Sequence, residues 1–504
     1  MNFIIRVDYS DNIGIGHLKR MTYLADNLLK KKHKVIFVLR RFQTTKIKKD
    51  FIKKYSIKFI DSVKNNFIFE KKFTKKIKNN LFFEFEFNFI MKLIEKSNIN
   101  FLVFDTPYLN EKNHIKLNGN FKKILITDKG YSSRYFDYIL NSRIMPNGVF
   151  KPKSLIGPKF SIVDQNFVKY RKTVPSNKKI LKMIIFFGNS DNKNILKKIC
   201  IYISEFKNLS INVDILIGKN YKNLSQIKDI IDKNNILRIK YFTNNFTKLL
   251  YKYDFCILSS GVSLSEALTL KIPTFLITND ISQNYFCKLL NKQNLLYFYS
   301  HYSNITKNSF KNHFYKFIHT DYPLIKKSLI SSNLFDGYGS DRLIEILASN
   351  KKLKIKKATP NDILVLYEWS NSSDVRYNSQ NTDPITFKDH YKWFNSSLVN
   401  SNRFIYLAYL NNLPVGQIRF DYIKNNIFID YSIDHHFRNL GFGSDIIRLG
   451  INKIETKDYT LKAIVKKKNR YSAKAFENNN FLLSINKDFF VYYKKNLISN
   501  NVKK

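Results

Sequence analysis

Asp11 to Arg20 reads DNIGIGHLKR and follows the apolar run FIIRVD. Two glycines flank one isoleucine, and a histidine comes next. A dinucleotide loop needs G-x-G-x-x-G; the third glycine position here is Lys19, so that chemistry is excluded. What remains is G-x-G-H-x-x-R, with Gly14, Gly16, His17 and Arg20. The glycines permit a sharp turn and let a ligand reach the backbone. His17 falls at or just before the first turn of a helix, where the dipole disfavours the imidazolium. The position predicts a histidine held neutral near physiological pH, the form that accepts a proton. A second constellation is SSGVSLSEAL, with Ser260, Gly261, Ser263 and Glu266. Ser263 is expected to cap the helix that carries Glu266. Amides at that helix start suit a diphosphate, and Glu266 suits sugar or ribose hydroxyls. FFGNSD places Gly188 at another strand end on the same side. A third constellation is RNLGFGSD: Arg438, Asn439, Gly441, Phe442, Gly443 and Ser444, between a strand and the amphipathic SDIIRLGINKI. Its glycines open backbone N–H groups to an anion, and a pyrophosphate fits.

These residues need strands that end beside helices. In the first 150 residues, short apolar runs recur at 3–8, 34–40, 101–105, 123–128 and 138–141. Amphipathic stretches at 17–31 and 84–97 lie between them. That alternation predicts a doubly wound parallel sheet. A polar stretch with a proline, YRKTVPSNKK (170–179), interrupts. The pattern then restarts at 182–188, 212–218, 255–261 and 273–278, a second unit of similar size. Two such units place a cleft at the strand C-termini. Past a Lys-rich boundary at 346–362 the character changes. RFIYLAYL, PVGQIRFDYI and NIFIDYSID, separated by NNLP and KNN, read as antiparallel strands. The expected fold class is α/β, a pair of doubly wound domains (1–165 and 175–348) followed by an α+β domain (354–497).

Composition narrows the function classes. The net charge of +47 arises from 86 Lys+Arg against 39 Asp+Glu, spread along the whole chain of 504 residues. That spread, with abundant Asn, Ile, Phe and Tyr, argues against a nucleic-acid-binding arm and favours an anionic small substrate. Cys200, Cys256 and Cys287 are far apart and lack metal-ligand spacing, so a reduced, cytoplasmic protein with no metal is expected. No signal peptide and no apolar run of membrane-spanning length are visible, so membrane insertion is not expected.

The third domain resembles the GNAT acetyltransferases, whose acetyl-CoA loop is R/Q-x-x-G-x-G/A. LKAIVKKKNRYSAKAFENNNF is similar to that family's later strand and helix, and it supplies Asn469 and Ser472. Trp369, Asn371, Arg376, His390 and Trp393 look like its sugar-amine branch. The resemblance implies acetyl-CoA as co-substrate, bound by the loop from Arg438 to Ser444 with Asn469 and Ser472. Phe476 stands where many members carry a tyrosine proton donor; Tyr471 is its neighbour, and His435 and His436 could take a proton from an amine.

Residues 1–348 resemble GT-B nucleotide-sugar enzymes. More closely, they resemble the UDP-2,4-diacetamido-2,4,6-trideoxy-β-L-altropyranose hydrolases of pseudaminic acid biosynthesis. The blocks that carry this are IIRVD with IGIGHLKR, VFDTPY, ITDKGYSSRYFDYILN, GPKFSIV, FFGNSD, SSGVSLSEAL and FDGYGSDRL, in order. The resemblance implies His17 as the base that activates water at the sugar's anomeric carbon. It implies Tyr108 and Gln283 as substrate contacts, with Gly14, Gly16, Arg20, Gly188, Ser260, Gly261, Ser263 and Glu266 around the UDP-sugar. The GNAT domain would acetylate the 4-amino group one step earlier, beside neighbouring sugar-pathway enzymes. Two alternatives stand: a GT-B glycosyltransferase with a UDP-amino-sugar donor, and a hydrolase with an inactive GNAT binding module.

Overall fold

Apolar runs that alternate between two covered faces become the central strands of two parallel sheets. The computed structural model describes residues 1–9, 15–40, 49–60, 80–106, 117, 119–128, 135–143, 154–171, 181–188, 191, 193–206, 209–218, 221, 223–241, 246–279, 283–323, 326, 328, 332–348, 352–438, 440–456, 459–485 and 489–495. Gly14, Tyr108 and Asn439 lie outside them. The chain forms two compact units, Met1–Leu343 and Ile344–Lys504.

The first unit holds both parallel sheets. One comprises β1 (Asn2–Val7), β2 (Lys34–Arg40), β3 (Ser56–Ile60), β4 (Phe101–Asp105), β5 (Lys122–Ile126), β6 (Tyr138–Asn141) and β7 (Ser154–Ile156), in the order β3-β2-β1-β4-β5-β6-β7. The other comprises β8 (Leu181–Phe186), β9 (Ile211–Ile217), β10 (Leu237–Tyr241), β11 (Phe255–Ser259), β12 (Thr274–Thr278) and β13 (Phe298–His301), in the order β10-β9-β8-β11-β12-β13. Every strand pairing in both is parallel. Strand order reverses beside β1 and beside β8, the switch points where ligand crevices form. Met183, Ile185, Ile257 and Phe275 pack on one side of the second sheet; Ile184, Phe186, Leu258 and Leu276 pack on the other. Each such side chain contributes about 1.5–3 kcal/mol when fully buried. Two doubly wound layers of this topology make a GT-B-like pair.

Three helices carry the first unit's candidate residues: α1 (Gly16–Lys30), α2 (Val262–Thr269) and α3 (Asn284–Lys292). Each follows a strand C-terminus, β1, β11 and β12 respectively.

The second unit is an α+β, GNAT-like domain. Its sheet runs β14 (Leu353–Lys357), β15 (Arg403–Leu410), β16 (Leu413–Ile423), β17 (Asn426–Ile433), β18 (Thr460–Lys466), then β20 (Phe489–Lys495) and β19 (Leu482–Ile485). The lysines of the boundary segment thus fall partly in β14, an edge strand. Lys354, Lys356 and Lys357 there guard the sheet edge against further pairing. The predicted antiparallel strands form, and their turns hold Asn411 and Lys424 at positive φ. β17 and β18 run parallel and pair only over Asn426–Phe428 and Thr460–Lys462. Past that point they part. Two helices flank the gap, α4 (Phe442–Ile451) and α5 (Arg470–Glu477).

Among the described residues, no helix is long and apolar enough to cross a membrane.

Candidate functional sites

In the first unit, α1 starts directly behind β1 and presents His17 toward the C-terminus of β4. His17 Nδ1 lies 2.6 Å from Asp105 Oδ1. Asp105 is buried, while the His17 side chain keeps 28% of its exposure, so the imidazole reaches the crevice from a buried anchor. Arg20 lies one turn further along α1. It donates to both Asp105 oxygens, from Nη2 at 2.6 Å and Nε at 2.8 Å, and from Nη1 to Asp128 Oδ1 at 2.8 Å. The carboxylate accepts from Nδ1–H, which leaves Nε2 as the proton acceptor.

The helix-dipole expectation for His17 is corrected here. Burial disfavours its imidazolium, but the Asp105 carboxylate outweighs burial and raises the pKa above 6.5. Asp105 moves the other way: burial alone would raise it, but Arg20 and His17 hold it below the usual carboxylate range. Arg20 lines the cavity that Ser260 and Gly261 border, and its guanidinium is also held by two aspartates, so it braces Asp105 behind His17.

Three further expectations change. Gly16 makes no turn; it is the first residue of α1, after Ile15 in helical geometry, and the space beside it is open. Ser263 does not cap α2. The helix begins at Val262, and Gly261, at φ 155°, occupies the cap without a side-chain hydrogen bond. Glu266 is fully buried, with both oxygens occupied. Lys19 Nζ lies 2.7 Å from Oε1 and 3.0 Å from Oε2, and the Tyr23 hydroxyl donates to Oε1 at 2.7 Å. The glutamate therefore ties the second sheet's α2 to the first sheet's α1. No local signal marks that contact, since 247 residues separate Lys19 from Glu266.

Gly188 lies two residues past β8, at φ 89° with open space beside it. Ser260, Gly261 and Gln283 share one small cavity with Arg20, Asp128 and Arg143. Ser260 Oγ and Gln283 Oε1 are buried there without a hydrogen-bond partner. Asp105, Asp128 and Arg143 were missed from sequence. The signal for Asp105 was available: a carboxylate closing the apolar run FLVFD sits where parallel sheets place their sites.

In the second unit, a cleft of about 1000 Å³ opens where β17 and β18 part. Tyr431, Arg438, Gly441, Gly443, Asn469 and Ser472 line it. Gly441 caps α4 at φ 84°, with nothing within 4 Å of where a Cβ would stand, an open cradle for a pyrophosphate. Phe442 is buried, so it offers the cleft only backbone. Arg438 donates to Asp374 Oδ2 at 2.6 Å. Ser444 Oγ accepts from Asn478 at 3.3 Å. Asn469 caps α5 by accepting from the Ser472 amide at 3.1 Å.

The missing tyrosine is accounted for locally. Phe476 is buried, and its ring packs edge-on against Tyr431 at 5.7 Å. Tyr471 is 80% exposed at the rim of the cleft. The Tyr431 hydroxyl stands 3.4 Å from the Cβ position of Gly443 and lines the cleft with Ser472. Burial raises its pKa, which keeps the phenol protonated.

His436 Nδ1 lies 2.9 Å from Asp434 Oδ1, whose other oxygen accepts from Trp369 Nε1 at 3.0 Å. His435 is exposed beside them, and the three residues offer donor atoms within 4.8 Å of one another. Asn371 and Arg376 brace backbone carbonyls, at Ile385 and Ser370. Trp393 stacks between Arg403 and Arg419. His390 is buried, and burial lowers its pKa to about 4.

No protein-family model matches the chain. An uncharacterized protein of Methanocaldococcus jannaschii is 25% identical over 417 residues, 79% of this chain and 78% of that protein. The spore coat polysaccharide biosynthesis protein SpsG of Bacillus subtilis is 23% identical over 203 residues, 38% of this chain; the match spans 59% of SpsG. Among solved structures, Acinetobacter baumannii MurG aligns with 69% of this chain and 99% of its own, at 12% identity and a TM-score of 0.49. Campylobacter jejuni N-acetyltransferase PseH aligns with 29% of this chain and 99% of its own, at 20% identity and a TM-score of 0.23.

Proposed function

We propose that the first unit hydrolyses a UDP-linked diacetamido sugar of the pseudaminic acid type, and that the second unit acetylates the 4-amino group of its precursor. The observation that carries the hydrolase reading is the His17–Asp105 pair, anchored by Arg20 beside the cavity that Gly261 borders. SpsG's named role in polysaccharide biosynthesis agrees with a sugar substrate.

Water is held by His17 Nε2 against the anomeric carbon. As its oxygen attacks, its proton passes to Nε2, and Asp105 stabilises the imidazolium. The C1–O bond breaks, and its electron pair leaves on the diphosphate. A positioned general base contributes about 10²–10⁴-fold. Amides at the start of α2 face the leaving group.

In the second unit, the neutral amine attacks the acetyl carbonyl of acetyl-CoA. The amine proton goes to His436, oriented by Asp434. The carbon–sulfur bond breaks, and the thiolate takes a proton from the Tyr431 hydroxyl. Its neighbour Gly443 leaves room for the pantetheine arm.

The test is mass spectrometry of the products from the UDP-4-amino sugar, with and without acetyl-CoA. Acetylated UDP-sugar, then UDP and free sugar, are expected only with acetyl-CoA present. UDP release without any acceptor separates hydrolysis from glycosyl transfer. His17→Ala should abolish release and keep acetylation; Tyr431→Phe should lose acetylation, and with it release from the 4-amino sugar, but still release UDP when given the acetylated UDP-sugar. Undiminished release from His17→Ala would exclude the base.

A further inference from the structure

The first sheet contributes a cation to the cavity beside α2. We propose that Arg143, just after β6, grips the diphosphate of the nucleotide sugar and stabilises it as it leaves. This deepens the hydrolase reading by naming the anion's partner on the opposite wall from Gly261.

The basic groups near this seam are not equivalent. Lys19 is spent on Glu266, and Arg20 on Asp105 and Asp128. Arg143 has one ion pair among the described residues, to Asp128 Oδ2 at a long 3.8 Å. Asp128 is already held by Arg20 at 2.8 Å and kept ionised by it, so it neutralises Arg20 more than Arg143. The Arg143 side chain is 15% exposed. Its backbone amide donates to Asn141 Oδ1 at 2.9 Å, which fixes where the side chain starts. Arg143 shares the cavity with Ser260, Gly261 and Gln283. Its charge is felt across the seam: burial pushes the Cys287 thiol on α3 up to about 12, and Arg143 works against that rise.

One other observation in that cavity asks for an anionic ligand. Ser260 Oγ, a hydroxyl that can donate, is buried without a partner among the described residues, and such an atom is costly unless something occupies it. A hydroxyl, a glycine-capped helix start and a guanidinium together fit a diphosphate. Arginine's fork matches two phosphate oxygens at once. One ladder then runs from base to leaving group: His17, Asp105, Arg20, Asp128, Arg143. The same residues that orient the proton acceptor hold the cation that receives the departing charge.

Titration calorimetry with UDP and with uridine, on the full chain, tests this. Arg143→Gln should weaken UDP by about ten- to a hundredfold, as loss of a charge-assisted bond implies, and leave uridine unchanged. Arg143→Lys should recover part of the UDP affinity, since charge returns without the fork. An unchanged thermal midpoint shows that Arg143→Gln folds. UDP affinity equal to wild type in Arg143→Gln would overturn the assignment, as would an equal loss for uridine. UDP release by the wild type separates the two readings. If the wild type binds UDP through Arg143 but releases none from a UDP-sugar, the hydrolase reading falls and the phosphate site stands.

Discussion

At the scale of single residues, Asp105 decides how His17 works. In the proposed hydrolysis the catalytic species is neutral imidazole, so UDP release should fall as pH drops through the His17 pKa. Burial opposes the imidazolium, and Asp105 reverses that, so the acid limb should lie above 6.5. Asp105→Asn removes the carboxylate and leaves burial and the Arg20 charge, both of which lower the pKa. The acid limb of kcat/KM should therefore move to lower pH. The maximum rate should drop by about two orders of magnitude or more, because the amide no longer fixes the tautomer or stabilises the cation. A pH–rate profile that keeps its limb would remove Asp105 from the mechanism. Stability carries the same shift with its own sign. A raised folded pKa means the pair's contribution is fully present below 6.5 and is lost as pH rises through the folded value. The proposed base was legible in the sequence because G-x-G-H is local. Its partner is 88 residues away, and only the pairing of β1 with β4 brings the two together.

At the scale of elements, α4 has a glycine at each end with opposite duties. A Cβ on Gly450 would stand 2.9 Å from two atoms of Ile418 and 3.2 Å from Phe420, both buried on β16. Overpacking of this kind costs about 1–3 kcal/mol. The helix-propensity gain of Ala over Gly offsets about 1 kcal/mol of that. Gly450→Ala should thus lower stability by about 1 kcal/mol in denaturant titration; a stabilised variant would mean the helix stands off the sheet. Gly441 meets nothing, but its φ of 84° strains an aspartate by about 1–2 kcal/mol. Gly441→Asp should keep the fold and lose acetyl-CoA binding, because the new carboxylate occupies the anion's place. Retained binding in calorimetry would refute the loop. The central strands were readable as apolar runs buried on both faces. β3, with SIKFI, and β10, with LRIKY, escaped notice because half of their side chains face water at sheet edges, and β7 is only three residues long. Ser263 was misplaced as a cap because glycine can start a helix with no side chain to announce it.

At the scale of the whole molecule, each unit has its own sheet system and its own apolar core, and the proposed chemistry divides with them. The first unit's core is sealed at its C-terminal end by the Arg342 guanidinium, which donates to Lys159 O at 2.6 Å and Asp336 Oδ1 at 3.1 Å. The second unit's core gathers Leu366, Trp369, Phe394, Ile405 and Leu407 around its sheet. Two cores of this kind need not melt together, and one unfolding free energy would not describe the chain. A ligand that binds only the native form of one unit raises that unit's stability by about 2.7 kcal/mol at a hundred times its Kd. Scanning calorimetry should therefore resolve two transitions. UDP should move one upward, and acetyl-CoA the other. Assignment follows from the variants: Arg143→Gln should cancel the UDP shift alone, and Gly441→Asp the acetyl-CoA shift alone. A single transition that both ligands raise equally would mean that the two sites share one cooperative unit, and the division of labour between a sugar-nucleotide half and an acetyl-transfer half would have to be abandoned.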